Sequence, residues 1–372
     1  MNAAYRAARL GDAVAIAGGT YGLQVITAAP TKQQSASAPH VVFSPARGAR
    51  VTIRGIQLGT GAGGRGNDGP AHITFRKLVM PNNHRDPCNI WIKPASRDIT
   101  IDHVSVCSIG MDAVHGVIIE NSSLGPCEAT DGNCTNTRLE GNGSTDVQIL
   151  HNTFHDYTTR NSDSNHFECF VAWGIGGPIG LVIRGNRFRN CAIIDIALYQ
   201  EGEPLRRVLI ESNFLDDPTD QGYPSGPHVP GQAAINLKDA DPPSFSNLRI
   251  RFNSFAPHTG VLWSTAAGGR DTNVEAVGNI FGEVWNSCAP ELGIHYAYNI
   301  YLAGRTCHGP GELAVRSLPY RSSAYGAAGN YHLRRARTVA DNRVPRSIGC
   351  PKRDVDWRPS RGPRCNVGAD QR

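Results

Sequence analysis

Residues 147–154 read Val-Gln-Ile-Leu-His-Asn-Thr-Phe, and residues 181–188 repeat the phrase as Leu-Val-Ile-Arg-Gly-Asn-Arg-Phe. Alternating apolar residues predict a strand with one buried face. The Asn or Gly before the last apolar residue predicts a bend, because both tolerate left-handed backbone conformations. Clear copies also begin at residues 208, 248 and 274, and weaker copies begin at residues 51, 73, 99, 117 and 296. The anchoring residues are Asn121, Asn152, Asn186, Asn213, Asn253, Asn279 and Asn299.

The spacing of these anchors, roughly 20 to 40 residues, is typical of a solenoid of strand–turn units. One coil alone cannot bury its inner face, whereas stacked coils share a continuous core. Strands of a β-sandwich would recur every 8–12 residues or so, without a repeated phrase. We therefore predict an all-β chain folded as a single right-handed parallel β-helix. The anchors from residue 121 to residue 279 should line up at one corner, where a stacked Asn can bond to the next.

Composition limits the classes of function. The 372 residues carry a mild net charge of +5, which is compatible with an anionic substrate but is more simply explained by an Arg-rich composition that reflects the coding genome. No basic cluster is interleaved with aromatic residues, so nucleic-acid binding has little support. No stretch reaches the roughly 18 apolar residues of a membrane span. Forty-one glycines and 24 prolines fit a turn-rich solenoid. The oligomeric state cannot be read from the sequence.

Ten cysteines occur without the C-x-x-C spacing of zinc or redox sites. Disulfides persist in oxidising compartments, so this content predicts a secreted, extracellular protein. We expect local pairing in chain order, as Cys88–Cys107, Cys127–Cys134, Cys169–Cys191, Cys288–Cys307 and Cys350–Cys365. The chain starts directly with a predicted cap and carries no charged-then-apolar signal segment, so we expect it to be a fragment of an exported protein.

Both ends of the chain carry a family resemblance. An Ala-rich stretch at 2–9 predicts a helix, and Gly-Asp-Ala-Val-Ala-Ile follows at 11–16. This order resembles the first coil of secreted right-handed parallel β-helix proteins, a superfamily that includes pectate lyases and the chondroitinase B and alginate lyase group. Residues 354–359 and 366–370 resemble their closing segment, with departures at Trp357, Asn366 and Gln371. The resemblance is specific for the fold and weak for the reaction.

Three regions follow from these signals. We predict a short helical N-terminal cap at 1–22, a parallel β-helix at 23–303 and an irregular C-terminal cap at 304–372. The segments 127–145 and 216–232 are the largest predicted insertions, and long loops on a rigid scaffold often wall a binding cleft.

Each coil also contains a second predicted strand, at 111–114, 165–171, 193–199, 234–238 and 260–264. Side chains alternate along a strand. With Phe167, Cys169 and Val171 facing the core, and likewise the apolar residues at 194, 196, 198, 235 and 237, an outward polar column results. Its members are His166, Glu168, Asp195, Tyr199, Asn236 and Lys238, and Asp112 and His115 extend it on one side. An ordinary solvated sheet face is the alternative interpretation.

This column fits a polysaccharide lyase that acts by β-elimination on a uronic-acid polymer. Lys238 or His166 would serve as the base. Glu168, Asp195 and Asn236 offer the oxygen ligands that calcium favours, and Tyr199 and Asn236 would bind substrate. The lyases of the resembling group combine a Lys or Arg base with calcium, so the match is one of residue type.

Two other functions remain open. Glycoside hydrolysis needs two carboxylates, and Glu168 and Asp195 on adjacent coils are a candidate catalytic pair. A non-catalytic, glycan-binding or tailspike-like adhesion protein could use the same column as a binding surface. In each case the expected partner is a polysaccharide.

Overall fold

The computed structural model shows a parallel β-helix. It describes residues 1–33, 38–61, 66–81, 89–129, 137–140, 143–159, 168–174, 179–191, 194–200, 205–216, 234–239, 245–257, 259–264, 273–282, 288, 292–302, 305–323, 329–334, 338–341, 343–360 and 363–371. A six-residue helix, Asn2–Ala7, covers the N-terminal end, as predicted. It buries Tyr5, whose hydroxyl donates to the carbonyl of Ala71.

Three sheets of parallel strands form the walls, and neighbouring strands come from successive coils. The first sheet contains Ala13–Ile16, Val41–Pro45, Ala71–Arg76, Arg97–Asp102, His115–Glu120, Thr145–Leu150, Ile179–Arg184, Leu205–Glu211, Phe245–Arg251, Glu275–Val277 and His295–Ala297. The second sheet contains Ser105–Val106, Ser123–Leu124, Thr153–His155, Arg187–Arg189, Phe214–Leu215, Ser254–Phe255, Ile280–Phe281, Ile300–Leu302 and Leu313–Val315. The third, called here the site sheet, contains Gly19–Ile26, Val51–Leu58, Ile90–Ile92, Ile109–Asp112, Thr137–Glu140, Phe170–Gly174, Ile196–Gln200, Ile235–Asp239 and Val261–Ser264.

Shorter elements complete the chain. Cys127–Ala129 pairs in parallel with Tyr157–Thr159. Two antiparallel pairs lie near the C-terminus, Tyr320–Ser322 with Asn330–Leu333 and Val344–Pro345 with Arg364–Cys365. Single 3₁₀ turns occupy Pro30–Lys32 and Arg346–Ile348.

A ladder of buried asparagines joins the first sheet to the second. The side-chain oxygen of Asn186 accepts bonds from the backbone N–H of Asn152 at 2.8 Å and from its amide at 3.1 Å. The same pattern continues through Asn213, Asn253, Asn279 and Asn299. Because buried polar groups must be hydrogen-bonded, the ladder fixes the register of six coils.

The prediction for Asn121 was wrong by one residue. Ser122 occupies the ladder position of its coil, and its N–H donates to Asn152 at 2.9 Å. Asn121 instead adopts the left-handed conformation (φ 52°) that precedes each ladder residue. The equivalent residues of other coils share that conformation, namely His103, His151, Gly185, Ser212, Phe252, Gly278 and Tyr298. The bend therefore lies at the residue before the anchor.

A second left-handed row crosses the start of the first sheet. Strand register aligns His72, Asp98, Gly116, Asp146, Gly180, Arg207, Asn247 and Asn273, all with φ between 53° and 90°. Asn, Asp, His and Gly are the residues that tolerate this conformation best. The row displaces its side chains from the regular alternation of the strands.

The interior is apolar, with stacked aromatic rings near the second sheet. Phe154 and Phe188 stack with ring centroids 4.5 Å apart, and Phe281 stacks on Tyr301 at 5.3 Å. Parallel pairing continues to Leu313–Val315, beyond the predicted boundary at residue 303. The C-terminal cap then covers the second sheet: the hydroxyl of Tyr320 donates to the carbonyl of Phe255.

The disulfides correct part of the predicted pairing. Cys107 pairs with Cys127, which overturns the predicted Cys88–Cys107 and Cys127–Cys134 bonds. The two cysteines lie at equivalent corners of successive coils, because Val106 pairs with Leu124. The Cys169–Cys191, Cys288–Cys307 and Cys350–Cys365 bonds are confirmed. Cys88 and Cys134 lie outside the described residues.

Candidate functional site

The outward face of the site sheet carries two parallel rows of side chains. Register places Trp91, Gly110, Arg138, Val171, Ala197 and Asn236 in one row. The other row contains Asp112, Glu140, Trp173, Tyr199 and Lys238, and Lys93 continues it at its N-terminal end. Since stacked strands lie about 4.8 Å apart, the second row extends over roughly 24 Å.

The predicted orientation was correct at residues 196, 198, 235 and 237 and wrong at residues 171 and 194, which share an outward cluster. Ile196 and Leu198 pack in the core, as do Ile235 and Leu237. In the preceding strand, Phe170 faces the core and Val171 lies in an outward cluster with Ala197, the reverse of the prediction. The prediction continued one alternation through residues 167–171, whereas the strand begins only at Phe170.

One pair from the predicted column is in direct contact. The hydroxyl of Tyr199 donates a hydrogen bond of 2.8 Å to Oε1 of Glu168, which is buried at 3% exposure. Burial, and then the charge of Glu168, raise the pKa of Tyr199 well above its usual range. The phenol therefore stays protonated and can act as a hydrogen-bond donor.

The other predicted residues are placed as follows. Asp195 was predicted to face outward, but it is fully buried before the strand Ile196–Gln200. Burial raises the pKa of Tyr331 in the C-terminal cap, and the charges of Asp216 and then Asp195 add to that shift. Asn236 is partly exposed and pairs with Ala197. The backbone of Lys238 pairs with that of Tyr199, but the side chain of Lys238 and the whole of His166 lie outside what the structure describes.

The polar column was predicted to extend through Asp112 and His115, but the two residues lie on different sheets. Asp112 pairs with Glu140 in the second row and is buried. His115 lies on a different wall, in the first sheet, where it is exposed and contacts Thr145.

A cationic cluster that the sequence analysis missed occupies the N-terminal half of the site sheet. The guanidinium of Arg138 lies 4.4 Å from the ring centre of Trp91 and 5.7 Å from that of Trp173. The ammonium of Lys93 lies 4.1 Å from the Trp91 ring. Arg138 also pairs with Glu140 at 3.1 Å. These cation–π contacts hold two positive charges at the sheet face.

Partial burial shifts the proton affinities of this cluster. Burial lowers the pKa of Lys93, although Asp112 and Glu140 oppose the shift. Burial raises the pKa of Glu140, and Arg138 opposes that shift while Asp112 adds to it. Lowered lysine and raised glutamate pKa values suit acid–base chemistry near neutral pH.

A sequence signal for this cluster existed. Ile90 and Ile92, two residues apart, mark the buried face of a strand with Trp91 and Lys93 on the other face, and in Thr137-Arg138-Leu139-Glu140 the apolar Leu139 lies between Arg138 and Glu140. The second of these stretches lies inside the segment 127–145, which was interpreted as an insertion. The structure places Thr137–Glu140 in the site sheet instead.

The residues predicted to hold calcium give it only a partial ligand set. Calcium takes six to eight oxygen ligands. Glu168 is engaged by Tyr199, and among the described residues no cluster of three or more carboxylate or imidazole ligands contains Glu168 or Asp195. Calcium therefore stays a prediction, and the elimination proposed for Lys238, Asn236 and Tyr199 does not depend on it.

Comparisons with known proteins establish the fold alone. No protein-family sequence profile matches the chain, and a comparison with curated proteins gave no match. Among solved structures, PfbA, a surface adhesin of Streptococcus pneumoniae, matches at 15% identity with a TM-score of 0.51, over 82% of this chain and 76% of PfbA. The PL6 family alginate lyase AlyGC matches at 13% identity and a TM-score of 0.36, over 84% of this chain and 52% of AlyGC.

Two further structural observations bear on the setting of the protein. The four observed disulfides fit an oxidising compartment. Within the described residues, no helix is long and apolar enough to cross a membrane.

Proposed function

We propose that the protein is an extracellular polysaccharide lyase that cleaves an acidic, uronic-acid polysaccharide lying along the site sheet. One observation carries the proposal: the second outward row runs from the cationic cluster to Tyr199, which donates to Glu168 and neighbours the backbone of Lys238. A row about six strands long can contact several sugars of one chain. The strand register therefore arranges these side chains in a line along which a linear polymer can lie.

The two ends of the row have different proposed roles. Arg138 and Lys93 bind substrate carboxylates, since a guanidinium held in a fixed plane recognises a carboxylate well. They lie about three or more strand spacings from Lys238, too far to act on the same sugar as Lys238. The cationic cluster therefore anchors the polymer, and the reacting sugar lies beside Tyr199.

At the reacting sugar, Lys238 removes the proton from C5. Asn236, two residues earlier on the same strand, donates its amide to the substrate carboxylate. Tyr199, which stays protonated, donates a hydrogen bond to the oxygen of the leaving sugar, and that oxygen takes its proton from solvent. The electron pair of the C5–H bond forms the C4–C5 double bond as the bond from C4 to the glycosidic oxygen breaks, so charge and atoms balance.

The test is an assay of the full chain against a panel of acidic polysaccharides. We expect ultraviolet absorbance from the unsaturated product, with turnover lost in Lys238→Ala and retained in Lys352→Ala. Lys352 is an exposed lysine of the C-terminal cap and controls for loss of charge. Binding without any cleavage would contradict the lyase proposal and favour an adhesin-like role.

A second candidate function has its own observation. Asp112 and Glu140 pair across adjacent strands, and the pKa of Glu140 is raised. One protonated and one ionised carboxyl group are the requirement for glycoside hydrolysis. Release of reducing ends without ultraviolet absorbance, abolished by Glu140→Gln, would identify this reaction instead.

A further inference from the structure

Three potential ligands converge on the first sheet, on a different wall from the candidate site. Register aligns His40, His72 and Asp98 on three successive coils. The His72 Nδ1 atom lies 2.6 Å from Oδ2 of Asp98, and the His40 Nε2 atom lies 2.9 Å from the same oxygen. The three ligand atoms all lie within 4.8 Å of one another. Among the described residues, His40, His72 and Asp98 are the group of three His, Cys, Asp or Glu side chains whose ligand atoms lie close enough to hold a metal ion.

The backbone explains why these side chains meet. His72 and Asp98 both belong to the left-handed row of the first sheet, with φ values of 55° and 53°. A non-glycine residue in this conformation carries a strain that the surrounding structure must support. His72 is nevertheless completely buried within a β-strand. The row thus turns a buried imidazole toward Asp98, whose side chain is 30% exposed and reachable from solvent.

A further contact orients the third ligand. The His40 Nδ1 atom lies 2.8 Å from Oγ1 of Thr74, on the neighbouring strand. A ligating imidazole almost always uses its second nitrogen in such a bond, which fixes the tautomer and the ring plane. When Nε2 of His40 coordinates a metal, its Nδ1 carries the proton and donates it to the Thr74 hydroxyl.

We infer that His40, His72 and Asp98 form a binding site for a first-row transition-metal ion, with Zn²⁺ as the best fit. Two imidazole nitrogens and one carboxylate oxygen are ligands that zinc accepts at about 2.0–2.2 Å. Tetrahedral coordination at those lengths separates ligand atoms by about 3.3 Å. The two nitrogen–oxygen contacts would open by less than about 1 Å to reach this separation, and the two imidazole nitrogens already lie within 4.8 Å of each other. Water would take the fourth position.

The site selects against calcium and magnesium, because those ions prefer oxygen ligands. It clamps three coils near the N-terminal end of the first sheet, whose strands are Val41–Pro45, Ala71–Arg76 and Arg97–Asp102. A metal that binds only the folded chain stabilises it. At a free zinc concentration of about 100 times Kd, the ratio of folded to unfolded chain rises about 100-fold.

The test uses the full chain, treated with a chelator and then titrated with Zn²⁺ alone. We expect one ion per chain by calorimetry, a raised Tm, and no such response to Ca²⁺. His40→Ala and Asp98→Asn should each weaken binding at least tenfold. His40 is at the surface end of the cluster, so its removal leaves the buried His72 in place.

His115→Ala is the matched control. His115 also lies on the first sheet and contacts a threonine hydroxyl, Thr145, at 3.0 Å, but it lies outside the three-ligand group. Its loss should leave zinc affinity unchanged. Absence of zinc binding, or equal binding by the wild type, His40→Ala and Asp98→Asn chains, would overturn the inference. In that case the cluster is a hydrogen-bonded triad only.

Discussion

The Tyr199 hydroxyl and Oε1 of Glu168 lie 2.8 Å apart, although 31 residues separate them in the chain. Tyr199 lies within a strand of the site sheet, and Glu168 lies just before the preceding strand. The bond therefore connects two successive coils across their outward face. It also keeps a neutral hydrogen-bond donor beside the backbone position of Lys238.

Replacing Tyr199 by Phe should lower lyase turnover about 100-fold, because loss of one hydrogen-bond donor to a developing oxyanion costs on the order of 10²–10³. The measurement is the initial rate of unsaturated product formation. Tyr21→Phe is the matched control: Tyr21 lies in the first strand of the same sheet, and its hydroxyl bonds to the carbonyl of Ala17. Equal rates for wild type and Tyr199→Phe would remove Tyr199 from the proposed mechanism.

Alkaline pH should unfold the protein cooperatively. Burial raises the pKa of Tyr157, Tyr301, Tyr320 and Tyr331 above the ordinary value of about 10. For a group whose folded pKa is raised, the stabilising effect is complete below the unfolded pKa and is lost as pH rises through the folded pKa. Stability should therefore fall progressively above about pH 10. Tyrosinate absorbance and loss of circular dichroism should rise together, and ionisation of these tyrosines in a still-folded chain would contradict the prediction.

The asparagine ladder should dominate local stability. Asn213→Ala removes the acceptor of the Asn186 N–H and the donor to the carbonyl of Ile183, both buried. Unsatisfied buried groups cost about 1–3 kcal/mol each, so we expect a loss of about 2–4 kcal/mol in the free energy of unfolding. The measurement is the urea midpoint.

Asn247→Gly provides the control for this ladder variant. Asn247 is exposed and left-handed, with φ 56°, and glycine accepts that conformation. The free energy of unfolding of this variant should differ from that of the wild type by no more than about 0.5 kcal/mol. Similar losses in both variants would mean that the ladder contributes no more than a surface turn.

Peptide mapping under non-reducing conditions should recover Cys107 joined to Cys127. Their Cα atoms lie 5.0 Å apart, within the range that a disulfide spans. The pairing follows from the stacking of coils, which brings together residues one coil apart rather than neighbours in one loop. Recovery of Cys127 joined to Cys134 would restore the pairing expected from sequence and contradict the structure.

The parallel β-helix could be predicted from sequence because its strongest constraint, a buried Asn once per coil, is visible as a repeated letter. The bend was misplaced by one residue because Asn suits both the ladder position and the left-handed position before it. Asn121 was therefore assigned to the ladder, whereas Ser122 occupies that position and Asn121 is left-handed. Orientation in the site sheet was harder still. The prediction carried one alternation through residues 165–171, whereas the strand is Phe170–Gly174; because an odd shift in alternation reverses side chains, Val171 was assigned to the wrong face.

The cationic cluster was missed for a related reason. Arg138 pairs locally with Glu140, but the aromatic rings that flank it, Trp91 and Trp173, lie 47 and 35 residues away in sequence. Only the register of four successive coils brings them together. The His40, His72 and Asp98 group depends in the same way on strand pairing between coils.

Arg138 and Lys93 should control the affinity for acidic polysaccharide rather than the chemical step. Arg138→Met and Lys93→Met should each weaken binding about tenfold at low salt, because each removes one charge-assisted contact. Both cations contact Trp91, so the double variant should lose less than the product of the two effects. Raising the ionic strength should reduce wild-type affinity more steeply than that of either variant.

Arg249→Met separates this effect from a general loss of charge. Arg249 is a half-exposed arginine on the first sheet, paired with Glu275 at 3.5 Å, so its removal changes net charge equally on a different wall. The unfolding midpoint of Lys93→Met should be unchanged or higher at neutral pH, because folding lowers the pKa of Lys93 and so disfavours its charged form. If Arg249→Met weakened binding as much as Arg138→Met, attraction would be non-specific. The polymer would then not be anchored at the Arg138 end of the site sheet.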